Sequence, residues 1–334
     1  MSRVSRATLL EANEIHGVEL SSRVGEQPGQ VPYAPHISQA YDLSPMSMSR
    51  SGTVRANGQE LYFEVHGEGP PLVLVMGIGY DATLWTLAQV PALSQKFQVV
   101  IFDNRDVGRS SKAAAPYTVA DMADDVAALM DALAIKRAHL LGLSMGGMIA
   151  QEFALRHADR LQRLVLSGCG AAPARVAFDP IRTWNWVKAN DKGGEVFACQ
   201  QFTWLFSTAF LRNKEAVQQT ISMLTSNPNP VGPEAYNRQA QAYLRYDALD
   251  RLADLKAPTL VIVGEQDLLT PPWICREVAD RIPGSQFEII KGDGSSHVVP
   301  IERPDEFNHL VTRFLVASEP ALASARGRVP ASAM

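Results

Sequence analysis

The sequence has no apolar run approaching the roughly 20 residues that a helical membrane span needs, so no span is expected. It has no long run of lysine or arginine, and its formal net charge is −4, which argues against a nucleic-acid surface. Cysteine is scarce. Cys169, Cys199 and Cys275 are odd in number, widely spaced and never paired as C-x-x-C. That fits neither a disulfide framework nor a zinc site, so all three are expected to be buried small hydrophobes in a reducing compartment. The first fifty residues also lack the apolar core of a secretory signal. A cytoplasmic protein is the expectation these absences leave.

What is present is an ordinary globular mixture, with 46% hydrophobic and 20% charged residues. A chain of 334 residues has room for one large α/β domain, or for a core domain carrying an insertion. Residues 1–52 hold few apolar clusters and many Ser, Gln and Pro, and read as a disordered or loosely docked arm. Ala7–Asn13 starts a helical pattern that nothing sustains. Met46 and Met48 stand just before the first strand-like run, where a translation start would be placed. Residues 318–334 are rich in Ala, Ser and Arg and read as a disordered tail.

Between these ends, strand-like and helix-like runs alternate. Thr53–Ala56 and Glu60–His66 flank Asn57-Gly58, a pair that favours the positive φ angles of a tight hairpin turn. Leu72–Met76, Gln98–Phe102, Ala138–Leu141, Arg163–Ser167, Thr259–Val263 and Gln286–Ile290 are short apolar runs of the kind buried on both faces of a parallel sheet. Thr118–Leu133 has apolar residues spaced by three and four, with Thr118 as a cap and Asp121 in the first turn. Met145–Arg156, Pro272–Ile282 and Glu302–Val316 also read as helices. The expected fold is therefore α/β: a mostly parallel central sheet with an antiparallel start and helices on both faces. Residues 171–251 break the alternation. They hold many aromatics and no strand-like run, and read as a helical cap inserted after the sixth strand, between core segments 53–170 and 252–317. Aromatics at helical spacing are packing residues in the main.

One serine stands out. His139–Ala150 reads HLLGLSMGGMIA, with glycines two residues before and two after Ser144. By composition alone G-x-S-x-G turns up in about one chain in ten of this length, so the context decides. Here a buried strand ends before Ser144 and a helix begins after it. A turn so sharp strains its central residue, and Gly142 and Gly146 remove side chains that would collide. The hydroxyl is lifted clear of the sheet at a helix N-terminus. This resembles the nucleophile elbow of the α/β-hydrolases, and the chain resembles that fold over roughly residues 53–316.

A serine hydroxyl needs a base, and the base an orienting acid. Of seven histidines, His16 and His36 lie in the arm, His66 ends a hairpin strand, and His139 starts the strand leading to Ser144. His157 closes the following helix and His309 lies inside the last one. His297 alone sits in a loop beyond a strand, at the sheet edge where Ser144 lies. In this fold the acid follows the serine and precedes the histidine; Asp267, just beyond the strand Thr259–Val263, satisfies that order. Glu265 comes one step early, and Asp293 is too close to His297. The bland alternative for Asp267 is a turn residue capping the helix near Pro271.

The resemblance further implies an oxyanion hole made by the backbone N–H groups of Met145 and Ile78. Most members have His-Gly in the loop after the third strand; this chain has Met76-Gly77, which removes a histidine that often braces it. Asp103–Ser110 matches the family's D-x-R-x-x-G-x-S loop, whose charges are read as structural. Together with Met-Gly, this loop is similar to that of carboxylesterase, enol-lactonase and aclacinomycin methylesterase-like enzymes. The implied activity is hydrolysis of a carboxylic ester or lactone of a small, largely apolar substrate, through an acyl-enzyme at Ser144. Trp204 and Val298 are candidate substrate contacts. No metal or organic cofactor is called for. The same triad would serve a C–C bond hydrolase or a cofactor-free haloperoxidase, and a silent ligand-binding protein could keep the fold. An aspartate nucleophile, as in dehalogenases and epoxide hydrolases, is absent. Oligomeric state is open, a homodimer included.

Overall fold

Asn57 and Gly58 take φ of +46° and +75°, and the chain reverses there between β1 (Met48–Ala56) and β2 (Gln59–His66). The computed structural model describes residues 48–177 and 179–317. The remaining strands are β3 (Pro71–Val75), β4 (Gln98–Phe102), β5 (Ala138–Leu143), β6 (Leu161–Ser167), β7 (Thr259–Gly264) and β8 (Gln286–Ile290). They form one sheet in the order β1-β2-β4-β3-β5-β6-β7-β8. The β1–β2 and β2–β4 pairs are antiparallel, and every later pair is parallel.

The central strands read as unbroken apolar runs because both their faces are covered. Period-two alternation sorts their side chains. Val73, Val75, Val100, Leu140, Val261 and Val263 enter one core. Leu72, Leu74, Val99, Leu141, Leu260 and Ile262 enter the other. The helices around them are α1 (Gln89–Leu93), α2 (Val119–Ala132), α3 (Met145–Arg156), α9 (Pro272–Arg281), α10 (Val299–Glu302) and α11 (Pro304–Val316). Thr118 and Asp121 cap α2 reciprocally, each side chain bonding the other's backbone N–H. Between β6 and β7 the chain forms α4 (Pro180–Asn190), α5 (Glu195–Leu205), α6 (Thr208–Leu211), α7 (Lys214–Thr225) and α8 (Pro233–Leu244), with no strand among the described residues. Among the described residues no helix is long and apolar enough to cross a membrane.

Three expectations are corrected. The first strand begins at Met48 rather than Thr53, inside the expected arm, because backbone pairing with β2 continues through Gly52↔Phe63 to Met48↔His66 without needing apolar side chains. The rest of the arm, with Ala7–Asn13, and the tail 318–334 lie outside the described residues. The single helix Glu302–Val316 is broken at Arg303 (φ −131°, ψ +54°), since Pro304 disfavours helical backbone in the residue before it. And Cys199 is exposed, whereas Cys169 and Cys275 are buried; burial raises both buried thiols, Cys169 to about 12.

His139, at the start of β5, is buried with its ring edge-on to Phe97 at 6.0 Å. Burial first, then the charges of Arg163 and Arg137, push its pKa down to about 4. The folded protein therefore favours the neutral ring. Its contribution is full above the unfolded value near 6.5 and is lost as pH falls toward 4, by roughly 3 kcal/mol in all. Urea unfolding of wild type and His139→Gln between pH 7.5 and 4.5 should show a shallower acid loss in the variant; parallel curves would refute this.

Candidate active site

Ser144 is the single residue between β5 and α3. Its φ of +57° and ψ of −123° are strained for a side-chain-bearing residue, a cost of about 1–3 kcal/mol that the surroundings impose. A Cβ on Gly146 would lie 2.1 Å from the Val75 carbonyl oxygen, and one on Gly142 2.2 Å from the Gly146 oxygen. Only glycines allow α3 to press this closely on the ends of β3 and β5. The Ser144 N–H is tied to the Ser167 carbonyl at 2.9 Å, anchoring the turn to β6.

His297 follows β8 and Asp267 follows β7. His297 Nδ1–H donates to Asp267 Oδ2 at 2.9 Å, which leaves Nε2 as the ring's acceptor; that tautomer is inferred from the network. Asp267 also accepts the backbone N–H groups of Leu269 (2.9 Å) and Thr270 (2.8 Å) and the Thr270 hydroxyl (2.9 Å). It is thus a turn-capping residue and a histidine partner at once, because its two oxygens face different ways. Glu265 instead is exposed and accepts the Gly292 N–H.

Ser144 and His297 open into one cavity of about 330 Å³, with Asp267 buried behind the histidine. The other described histidines are elsewhere. His66 pairs with Glu64 and His157 with Asp124, His139 lies under Phe97, and His309 is exposed. His16 and His36 lie outside the described residues.

Gly77 lies against the serine: a Cβ there would be 3.1 Å from Ser144 Cβ. Ile78 is in the cavity wall, and Met145 is buried at the first turn of α3. The loop after β3 is held by side-chain hydrogen bonds from two other segments. Asn104 Nδ2 donates to the Met76 carbonyl at 3.0 Å. Gln239, fully buried on α8, accepts the Gly79 N–H at 2.8 Å and donates to the Arg105 carbonyl at 3.2 Å. Arg238 beside it pairs with Asp106 at 2.6 Å. The Asp103–Ser110 loop is organised by its own charges: Asp103 accepts from Ala82 N–H and Arg109, and Arg105 pairs with Asp125 at 2.6 Å. Sequence reasoning passed over Gln239 and Thr270, because a glutamine in a helix and a threonine in a turn carry no motif.

Glu302 was also passed over. Its buried carboxylate accepts the Ser207 N–H (3.0 Å), the Ser207 hydroxyl (2.6 Å) and the hydroxyl of Ser296, beside His297. Val298 N–H donates to the Leu205 carbonyl at 3.2 Å, so the histidine loop is stitched to the inserted helices. Val298 lines the cavity. Trp204 does not. It is half-buried and packs on the core, while Leu205 and Phe206 line the cavity. Successive residues of a helix point about 100° apart, which turns Trp204 away when Leu205 faces in.

A strained serine on a strand-to-helix turn, a histidine held by an acid from the preceding strand loop, and this sheet order define an α/β-fold hydrolase. A family model of the alpha/beta hydrolase fold matches residues 70–304, and the chain belongs to that family. It is 33% identical over 275 residues to a Caulobacter sp. (strain K31) protein named "Putative carbamate hydrolase RutD", covering 80% of this chain and 98% of that one. Among solved structures it is similar to the enol-lactonase from Burkholderia xenovorans LB400, with TM-score 0.71, 32% identity, and 80% and 100% of the two chains covered. It is also similar to a thermophilic esterase from Thermogutta terrifontis, with TM-score 0.70, 31% identity, and 80% and 98% covered.

Gln239→Leu removes the acceptor that holds the Gly79 N–H. Steady-state kinetics on any substrate the chain hydrolyses should show kcat about tenfold lower with KM little changed, a fraction of the loss expected when an oxyanion donor is deleted outright. An unchanged kcat would refute the bracing role.

Proposed function

We propose that the chain is a serine hydrolase of small, largely apolar carboxylic esters or lactones. The observation that carries this reading is Ser144, strained at φ +57°, sharing one cavity with a histidine whose Nδ1 is bound to Asp267. Ser144 Oγ attacks the carbonyl carbon while His297 Nε2 takes its proton. Asp267 holds the tautomer and stabilises the imidazolium. The N–H groups of Ile78 and Met145 receive the oxyanion. The imidazolium then protonates the departing alcohol, leaving an acyl group on Ser144. Water, deprotonated by His297, attacks that ester and releases the acid. In a lactone both products stay in one molecule.

The inserted helices act as a cap over Ser144. Leu205, Phe206 and Phe210 from this segment, with Leu84 and Leu143 from the core, make the cavity wall largely apolar. That suits an aliphatic or aromatic skeleton and gives little to solvate the polar end of a small carbamate, the substrate class in one relative's name. The partner is accordingly a small ester or lactone.

Hydrolysis of p-nitrophenyl butyrate by wild type and Ser144→Ala, with folding of both checked by circular dichroism, tests the reading. The variant should lose on the order of 10³–10⁶ in rate. Equal rates would refute nucleophilic catalysis by Ser144. A wild type inert toward esters and lactones alike would turn the same triad toward C–C cleavage, perhydrolysis or ligand binding.

A further inference from the structure

The cavity that holds Ser144 and His297 has a neighbour. A second cavity, of about 710 Å³, lies between the loop after β3 and the inserted helices. Tyr80, Leu84, Met223 and Leu224 line both, so these side chains stand between the two. The two spaces differ in chemistry. The catalytic one has a largely apolar wall, whereas Asp81, Arg109, Lys188, Asp191 and Lys192 border the second.

Tyr80 is the bulkiest of the four shared residues, and it is the one the fold anchors. Three consecutive residues of its loop are each hydrogen-bonded to a different part of the inserted segment. The Gly79 N–H donates to Gln239 Oε1 on α8 at 2.8 Å. The half-buried Tyr80 donates its hydroxyl to Oε1 of the buried Gln201 on α5 at 2.9 Å. Asp81 Oδ2 accepts from Asn227 Nδ2, in the connection between α7 and α8, at 2.8 Å. The backbone before the ring is also packed tightly: Gly79 has φ +76°, and a Cβ there would lie 2.8 Å from the Tyr236 ring. The Tyr80 ring is thus held at its tip and on both sides of its Cα. It belongs to neither the proposed triad nor the proposed oxyanion hole.

We infer that the Tyr80 ring closes the catalytic cavity toward the second one and sets the longest substrate chain admitted, an inference that rests on the hydrolase reading above. A chain that ends at Tyr80 gains with each methylene it buries against Leu84, Leu143 and Phe206. A longer chain meets a ring whose loop cannot give way without breaking bonds to three helical segments, and close-packed walls accept extra methylenes poorly. Removing the ring joins the two cavities. The longer chain then runs on past Leu84 to Phe197, Ala198 and Val231, which line the second cavity alone.

Two matched pairs lengthen the chain on either side of the scissile bond: p-nitrophenyl butyrate against decanoate, followed by nitrophenolate release, and butyl against octyl acetate, followed by pH-stat titration. Wild type, Tyr80→Ala, Phe206→Ala and Ser144→Ala are compared, with folding checked by circular dichroism. In at least one pair, wild-type kcat/KM should favour the shorter ester by about tenfold or more, and Tyr80→Ala should reduce that preference by about tenfold. Phe206 lines only the catalytic cavity, so Phe206→Ala widens it without opening the partition and should leave most of the preference in place. If Tyr80→Ala does not fold, Leu224→Ala thins the same partition from the inserted side and carries the same expectation. Equal rates on short and long esters in wild type, a preference untouched by opening the partition, or an equal gain in Phe206→Ala overturns the inference; with Ser144→Ala inactive, the hydrolase reading then still stands. A wild type inert on all four esters, or an active Ser144→Ala, overturns both.

Discussion

The close approach of α3 to the sheet edge is the constraint on which the site depends. Gly142 and Gly146 let the helix start one residue after the strand ends, with backbone separations that a Cβ would close to about 2 Å. That compression holds Ser144 at positive φ. It also sets the N–H of Met145 beside the serine, at a helix N-terminus whose unbonded amides favour negative charge. The proposed nucleophile and one proposed oxyanion donor are thus products of one steric fact. Neither could be moved without rebuilding the β5–α3 junction.

Around that rigid point the remaining groups are held by hydrogen bonds from several parts of the chain. Parallel strands bring Asp267 and His297 to the same edge as Ser144, since β7 and β8 run in the direction of β5. The inserted helices are part of this scaffold as well as its cover. Gln239 on α8 bonds the loop after β3, and Ser207 at the start of α6 bonds the carboxylate that also holds Ser296. A buried carboxylate satisfied by three donors resists displacement, because any one lost bond leaves it undersolvated in a low-dielectric interior. The loop after β3 and the histidine loop are consequently coupled to the same helical segment.

The strands were legible because burial on both faces leaves a mark in composition, and α2 because its cap and its apolar spacing agree. The meeting of Ser144, His297 and Asp267 at one sheet edge was legible because strand-loop order restricts which acid and which histidine can come near that serine. Trp204 was misplaced because an aromatic-rich helix does not state which aromatic faces inward; that depends on a rotation set by packing. The extension of β1 to Met48 was illegible for another reason. A backbone ladder is nearly indifferent to side chains, so a polar stretch pairs as well as an apolar one when a partner edge is available.

By itself, then, the sequence determined what short-range sterics and periodicity control: the glycine-flanked elbow at Ser144, the Asn-Gly hairpin, the two-sided apolar strands and the chain order of serine, acid and histidine. Only the tertiary structure decided which side chains meet across long separations. That Gln239 bonds the loop after β3, and that Leu205, Phe206 and Phe210 meet Ser144 in one cavity, follow from how helices far apart in the chain dock on one sheet edge. Such docking is fixed by the sum of many weak packing contacts, and no local run of residues encodes that sum.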